Sequence, residues 1–164
     1  RGDVLALTPK LHLERCLLDP AGAVATRTAR RESARYELSV NQDFGEVLAG
    51  CVEAHGGEWL TPRLADAFAR LHGERGGRRA KFASVELWQN GELIAGEIGY
   101  LIGAAYASLS GYRLVSGSGT VQLCALGGLL ALGLLERRSR TTSLPPAPAS
   151  AKGGAAAELP PKAS

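Results

Sequence analysis

Phe82-Ala83-Ser84-Val85-Glu86-Leu87-Trp88-Gln89-Asn90-Gly91-Glu92-Leu93-Ile94-Ala95-Gly96 is the stretch that decides the fold. Asn-Gly is the pair best suited to a two-residue hairpin turn, because both positions must adopt left-handed backbone. The residues before it therefore predict a strand over 82–89, and those after it a returning strand over 92–101. Ile102-Gly103 is a second turn signal, followed by a third strand over about 104–115. Two consecutive hairpins make an antiparallel meander.

Upstream, Tyr36, Leu38 and Val40 alternate with Glu37 and Ser39, the period of a half-buried strand. Phe44, Val47, Leu48, Cys51, Val52 and His55 then form one stripe at helical spacing, which Gly56-Gly57 ends and Asn41 or Asp43 can cap. A second helix starts with Thr61 as N-cap and Pro62 at the first helical position, carries Leu64, Ala67, Phe68 and Leu71 on one face, and stops near Gly73. Residues 73–81 read as a basic, glycine-rich loop.

Past Gly117 and Gly119, residues 121–135 are an apolar run of 15, shorter than the roughly 20 that a bilayer span needs, so they predict a core helix. The layout is α+β, an antiparallel meander with helices packed on it over 36–136. Residues 1–35, with a turn at Asp19-Pro20-Ala21-Gly22, read as an irregular lead-in with one short strand. Residues 137–164, rich in Pro, Ala, Ser and Arg, bury too little to offset ordering entropy and are expected to be disordered.

At 164 residues the chain accommodates one ordinary domain, and its lack of methionine, with a start at Arg1-Gly2-Asp3, predicts further sequence upstream. Cys16, Cys51 and Cys124, like His12, His55 and His72, lack the paired spacing of a metal site. A formal charge of +3 is too small to announce a nucleic-acid binder by itself, but the arginines cluster, at 27–35, 70–81 and 137–140. Such clusters suit either an RNA backbone or ordinary solvated surface.

Read in order, Tyr36 to Val40, Phe44 to Cys51, Glu58-Trp59-Leu60-Thr61, Ala67-Phe68-Ala69-Arg70-Leu71-His72, Ser84-Val85-Glu86-Leu87-Trp88 and Leu93-Ile94-Ala95-Gly96 resemble the leucyl/phenylalanyl-tRNA–protein transferase family in order and spacing. The resemblance implies an acetyltransferase-like (GNAT) fold, here incomplete. It implies transfer of leucine or phenylalanine from aminoacyl-tRNA to the N-terminal Arg or Lys of a protein, marking it for the N-degron pathway. It further implies a cytoplasmic monomer that uses no metal or cofactor and no membrane.

Carried over position by position, the resemblance implies that Trp59 stacks near the tRNA 3′ adenosine and that Phe68 replaces a family tyrosine. Ser84, Glu86 and Trp88, at alternate positions of one strand, would form a row along a substrate cleft, with Ser110 binding substrate from the next strand. Arg70, Arg78, Arg79 and Lys81 would contact tRNA. Two departures bear on catalysis. Leu109, in Ser108-Leu109-Ser110-Gly111-Tyr112-Arg113, stands where the family has glutamate, and the family's later Asp-x-Gln strand has no counterpart. Glu97 stands where the family has an apolar residue of the aminoacyl pocket, so it is the candidate replacement acid. If it pairs with Leu109 it lies across from the lost acid; if with Ser108, it shares a face with Tyr106, Ser108, Ser110 and Tyr112.

Two other functions fit the residues. Arg113-Leu114-Val115-Ser116-Gly117-Ser118-Gly119, between a strand and a helix, could cradle the pyrophosphate of acetyl-CoA in an N-acetyltransferase. Alternatively, the chain binds tRNA or basic N-termini without catalysing transfer.

Overall fold

A computed structural model describes residues 14, 16–22, 24–74 and 80–135. The 137–164 tail, Arg78 and Arg79 lie outside the described residues. Four strands, β1 (Glu37–Val40), β2 (Ala80–Gln89), β3 (Glu92–Ile102) and β4 (Ala105–Arg113), form one antiparallel sheet in the order β1-β2-β3-β4. Four helices pack on it: α1 (Arg27–Ser33), α2 (Phe44–His55), α3 (Pro62–Gly73) and α4 (Ser118–Ala131).

The β2–β3 turn forms as the sequence requires, with Asn90 at φ 53° and Gly91 at φ 80°. Helix α2 starts at Asp43, whose side chain accepts from Glu46 N at 2.9 Å, and ends at Gly56, φ 72°. Thr61 caps α3 from Leu64 N at 3.4 Å, with Pro62 following. The apolar stripe of α2 meets one face of the sheet, where Phe44, Val47, Leu48 and Cys51 pack with Leu60, Leu93 and Ile98, and Phe68 of α3 borders the cluster.

Helix α4 covers the opposite face. Its Leu126 and Leu129 join Ala83, Val85 and Leu101, and its Val121 joins Leu87, Ile94 and Ala95. The expectation of a core helix is met, although the helix begins three residues before the apolar run does. No helix among the described residues is long and apolar enough to cross a membrane.

The lead-in differs from expectation. Where an irregular segment with a strand was expected, Pro20–Gly22 makes a 3-10 turn and Arg27–Ser33 is helix α1. Thr26 caps α1 from Ala29 N at 3.1 Å, and Ala29 alone of its residues is buried, against Leu87 and Val121. One buried alanine leaves no periodic signature to read.

Two register shifts shape the sheet. One, between Leu87 and Trp88, leaves Ile94 without a β2 partner. The other lies between Ile98 and Gly99. Ile98 pairs with Ser110 and Gly99 with Ser108, which leaves Leu109 outside the ladder. Bulges of this kind turn successive side chains to different faces.

Candidate active site

The side chains of Ser84, Glu86 and Trp88 do share one face of β2, but it is the face beneath α2, and they are turned toward one another. Glu86 and Ser84 are fully buried. Glu86 Oε1 accepts from Ser84 Oγ at 2.5 Å, from Gln42 N at 3.2 Å and, more weakly, from Asp43 N at 3.5 Å. Its Oε2 accepts from Ser39 Oγ at 2.6 Å, and Ser39 Oγ in turn accepts from Trp88 Nε1 at 2.7 Å. The expected open row along a cleft is thus corrected to a closed network. A buried carboxyl needs donors, and the β1–α2 turn supplies them.

Asn41 completes this knot. It adopts the left-handed conformation, φ 57°, and its side chain accepts from Ser84 N at 2.9 Å while its own N–H donates to Ser84 O at 3.1 Å. The start of α2 is therefore held by side chains of β2. The sequence signal for this was available in the Ser-x-Glu-x-Trp strand and the Asn41–Asp43 turn, but nothing in it linked segments 43 residues apart.

Phe68 is half-buried and its ring lies 5.1 Å from that of Phe82, itself 5.9 Å from Tyr100. His72 stacks on Phe44 at 4.1 Å, and its Nδ1 lies 3.2 Å from Phe82 O. Burial lowers its pKa, so the ring is neutral and Nδ1–H is the donor to that carbonyl. Trp59 differs from these aromatic residues. In the turn between α2 and α3 it is 41% exposed, while its neighbour Leu60 is fully buried beside Leu93 and Ile98.

Ser110 is buried and faces the Cys51 thiol across the α2 interface. Burial pushes that thiol up, which keeps it protonated and inert. Arg70, in the last turn of α3, and Lys81, in the first residues of β2, flank segment 75–79.

Glu97 pairs with Gly111, so neither register considered from the sequence, with Leu109 or with Ser108, is the one formed. The bulge also divides the expected polar cluster. Tyr106 packs on the α4 side, with Ser108 near Glu97, while Tyr112 packs on the α2 side and Ser110 against Cys51. Glu97 is 9% exposed, and among the described residues its Oε1 and the Tyr106 hydroxyl, close to one another, are both buried without a hydrogen bond of good geometry. Burial raises the Glu97 pKa, against the opposing pull of Ser108 and Tyr106, and raises that of Tyr106 as well. The arrangement puts a carboxyl group ready to hold a proton beside a phenol that can donate to it.

Residues 17–134 match the leucyl/phenylalanyl-tRNA protein transferase family. The chain belongs to that family. It is 33% identical over 121 residues to the leucyl/phenylalanyl-tRNA–protein transferase of an Azoarcus species, an alignment covering 71% of the chain and 49% of that relative. The enzyme of the same name from Deinococcus radiodurans is 33% identical over 109 residues, covering 62% of the chain and 50% of the relative. That from Solidesulfovibrio magneticus is 32% identical over 104 residues, covering 61% and 39%. The chain therefore spans about half the length of these relatives or less.

The family match runs through the Glu86 network, the Trp59 turn, both faces of the sheet and all of α4. The strand-to-helix loop considered for acetyl-CoA is occupied by its own contacts. Ser118 Oγ donates to Val115 O at 2.7 Å, and the Arg113 side chain lies against Gly119. Sequence reasoning missed Gln122, which is buried in α4 and donates from Nε2 to Val85 O at 2.8 Å. A glutamine within an otherwise apolar run was the available signal.

Proposed function

We propose that this chain carries the transfer reaction its family is named for, moving leucine or phenylalanine from aminoacyl-tRNA onto the N-terminal Arg or Lys of a protein. The observation that carries the reading is the family match over residues 17–134, which includes every described helix and strand. In this reading the α+β unit over 36–136 is a partial GNAT-like domain, working as a cytoplasmic monomer in the N-degron pathway without metal or cofactor, and 1–35 and 137–164 are a lead-in and a tail.

The aminoacyl ester is already activated. About a tenth of an N-terminal amine with a pKa near 8 is neutral at pH 7 and can attack the ester carbonyl. The new C–N bond forms as the bond to the ribose oxygen breaks. The nitrogen loses a proton and the ribose oxygen gains one. What the protein supplies is orientation, oxyanion support and a proton acceptor.

Trp59 offers the exposed ring on which the terminal adenine stacks, and Phe68 and Ser110 support the binding face. Ser84, Glu86 and Trp88 act by fixing the β1–α2 turn. Arg70, Arg78, Arg79 and Lys81 engage the tRNA backbone. Glu97, with its neighbour Tyr106, serves as the proton acceptor. A second reading, binding without transfer, is favoured by Leu109, which puts an alkyl side chain where the family has its acid.

The deciding experiment supplies the chain with leucyl-tRNA and a peptide that starts with arginine, and follows the peptide mass. Leucine addition by the wild-type chain that Glu97→Gln abolishes, with tRNA binding retained, is the expected result. Retention of tRNA with no transfer by the wild type would favour the second reading. Full activity in the Gln variant would remove Glu97 from the reaction.

A further inference from the structure

Helix α4 has no charged side chain over Ser118–Ala131, and its apolar residues are spread around all of its sides. A helix of that kind is normally enclosed. Here Val121, Leu126 and Leu129 meet the sheet, but Leu123 and Ala131 on other sides are exposed, as is Leu132 just past the helix end. The 3-10 turn Pro20–Gly22 and helix α1 both pack against α4 and extend the same surface. Leu18 and Val24, two residues to either side of that turn, are largely exposed, and so is Leu17. Of the eight large apolar side chains exposed among the described residues, five therefore belong to α4, its end or the lead-in, which makes a patch and not a scatter.

Positive charge borders this patch. Ala29 is the buried residue of α1, and Arg27, Arg30 and Arg31 lie on the opposite side of the helix, facing away from the sheet. With Arg35 just beyond, four arginines against Glu32 give residues 27–35 a net charge of +3, equal to the formal charge of the whole chain. Glu32 pairs with Arg31 at 3.0 Å and with Arg35 at 2.7 Å, whereas among the described residues Arg27 and Arg30 are in no ion pair. Asp19, the acid beside the 3-10 turn, is taken up by that turn and accepts from Ala21 N at 2.9 Å.

We propose that this face, made of the outer sides of α4, the 3-10 turn and α1, docks on an anionic lipid surface. The leucines enter the boundary between headgroups and acyl chains, and the arginines lie at the lipid phosphates. Because no helix among the described residues is long and apolar enough to cross a membrane, the contact is with one leaflet. The two components together select this partner. RNA would satisfy the arginines but leave the leucines in water, and the exposed ring that could stack on a base, Trp59, is in the turn between α2 and α3. A second copy of the chain would bring one cluster of like charge toward another. The family resemblance implies no membrane partner, so this surface goes beyond it, and the inference does not depend on the transfer reading.

Co-sedimentation of the full chain with vesicles is the test. Vesicles of phosphatidylcholine and phosphatidylglycerol at about 2:1 should carry the chain down, and vesicles of phosphatidylcholine alone should not. Arg27→Ala/Arg30→Ala should weaken binding about 25-fold, about fivefold for each arginine. Leu17→Ser/Leu123→Ser should weaken it about tenfold or more. All four positions are exposed, and an unchanged melting temperature shows that each variant is folded. Glycerol phosphate at the same headgroup concentration should not compete, because it offers no apolar layer. Full binding by either variant overturns the proposal, as does equal binding to both kinds of vesicle or to neither. Weaker tRNA binding by the arginine variant, with no vesicle binding by the wild type, also overturns it and gives the face to RNA. A wild-type chain that is dimeric in gel filtration and monomeric as the leucine variant overturns it in favour of a second copy.

Discussion

Glu97 of β3 pairs with Gly111 of β4, a residue with no side chain, and the carboxyl group consequently lies on the α4 side of the sheet beside Tyr106 and Ser108. A Cβ at position 111 would lie 3.2 Å from Gly96 O, closer than ordinary contact, and 3.5 Å from Glu97 Cβ. The bulge at Leu109 sets this pairing.

The Glu97 environment makes stability depend on pH in a specific direction. Burial places its pKa above the ordinary 4.5 in the folded chain, and unfolding restores the ordinary value. Between the two values the folded chain holds the extra proton, so this residue's contribution to stability is largest at low pH and declines as pH rises through the folded pKa. Glu97→Gln, which stays neutral throughout, should remove that decline. Thermal melts at pH 5 and pH 8 should show the variant gaining over the wild type at the higher pH. A constant difference between the two would mean that Glu97 titrates normally.

Removing the Glu86 carboxyl should be among the most damaging single changes. Glu86→Ala leaves the hydroxyls of Ser39 and Ser84 and the N–H of Gln42 without their acceptor in a buried site. The cost is about 3 kcal/mol, measurable in urea unfolding. A loss under about 1 kcal/mol would show that water enters and replaces the carboxyl.

Two glycines test how tightly α2 meets the sheet. A Cβ at Gly96 would lie 2.8 Å from Val47 Cγ1 and 2.9 Å from the Tyr112 ring, whereas one at Gly57 meets nothing within 4 Å. Gly96→Ala is expected to destabilise by about 1 to 3 kcal/mol through overpacking, and Gly57→Ala to change little. Similar unfolding midpoints for the two variants would contradict the close contact among Val47, Tyr112 and Gly96.

The two tryptophans should separate binding from stability. Trp59→Ala, at an exposed ring, should weaken aminoacyl-tRNA binding by about 1 to 3 kcal/mol and leave the melting temperature nearly unchanged. Trp88→Ala removes the donor to Ser39 and part of the cluster under α2, so its main effect should be on stability. Filter binding and thermal melts on the same preparations distinguish them. Retained tRNA affinity in the Trp59 variant would make that ring an ordinary surface residue.

The sequence by itself determined the elements whose causes are local. Asn90-Gly91 dictated the hairpin through backbone sterics, Asp43 and Thr61 dictated helix starts through their side-chain oxygens, and the stripe from Phe44 to Cys51 dictated which side of α2 is buried. The ordered set of motifs from Tyr36 to Gly96 also sufficed to point to the family. Only the tertiary structure decided the faces. The bulge at Leu109 separates Tyr106 and Ser108 from Ser110 and Tyr112, because one residue excluded from the ladder exchanges every later side chain between faces, and alternation along a single strand cannot reveal it. Likewise Ser84, Glu86 and Trp88 are legible as a row, but whether a row meets solvent or a helix depends on what packs above it. Here Ser39 and the α2 turn, more than forty residues away in sequence, brought the donors that close it.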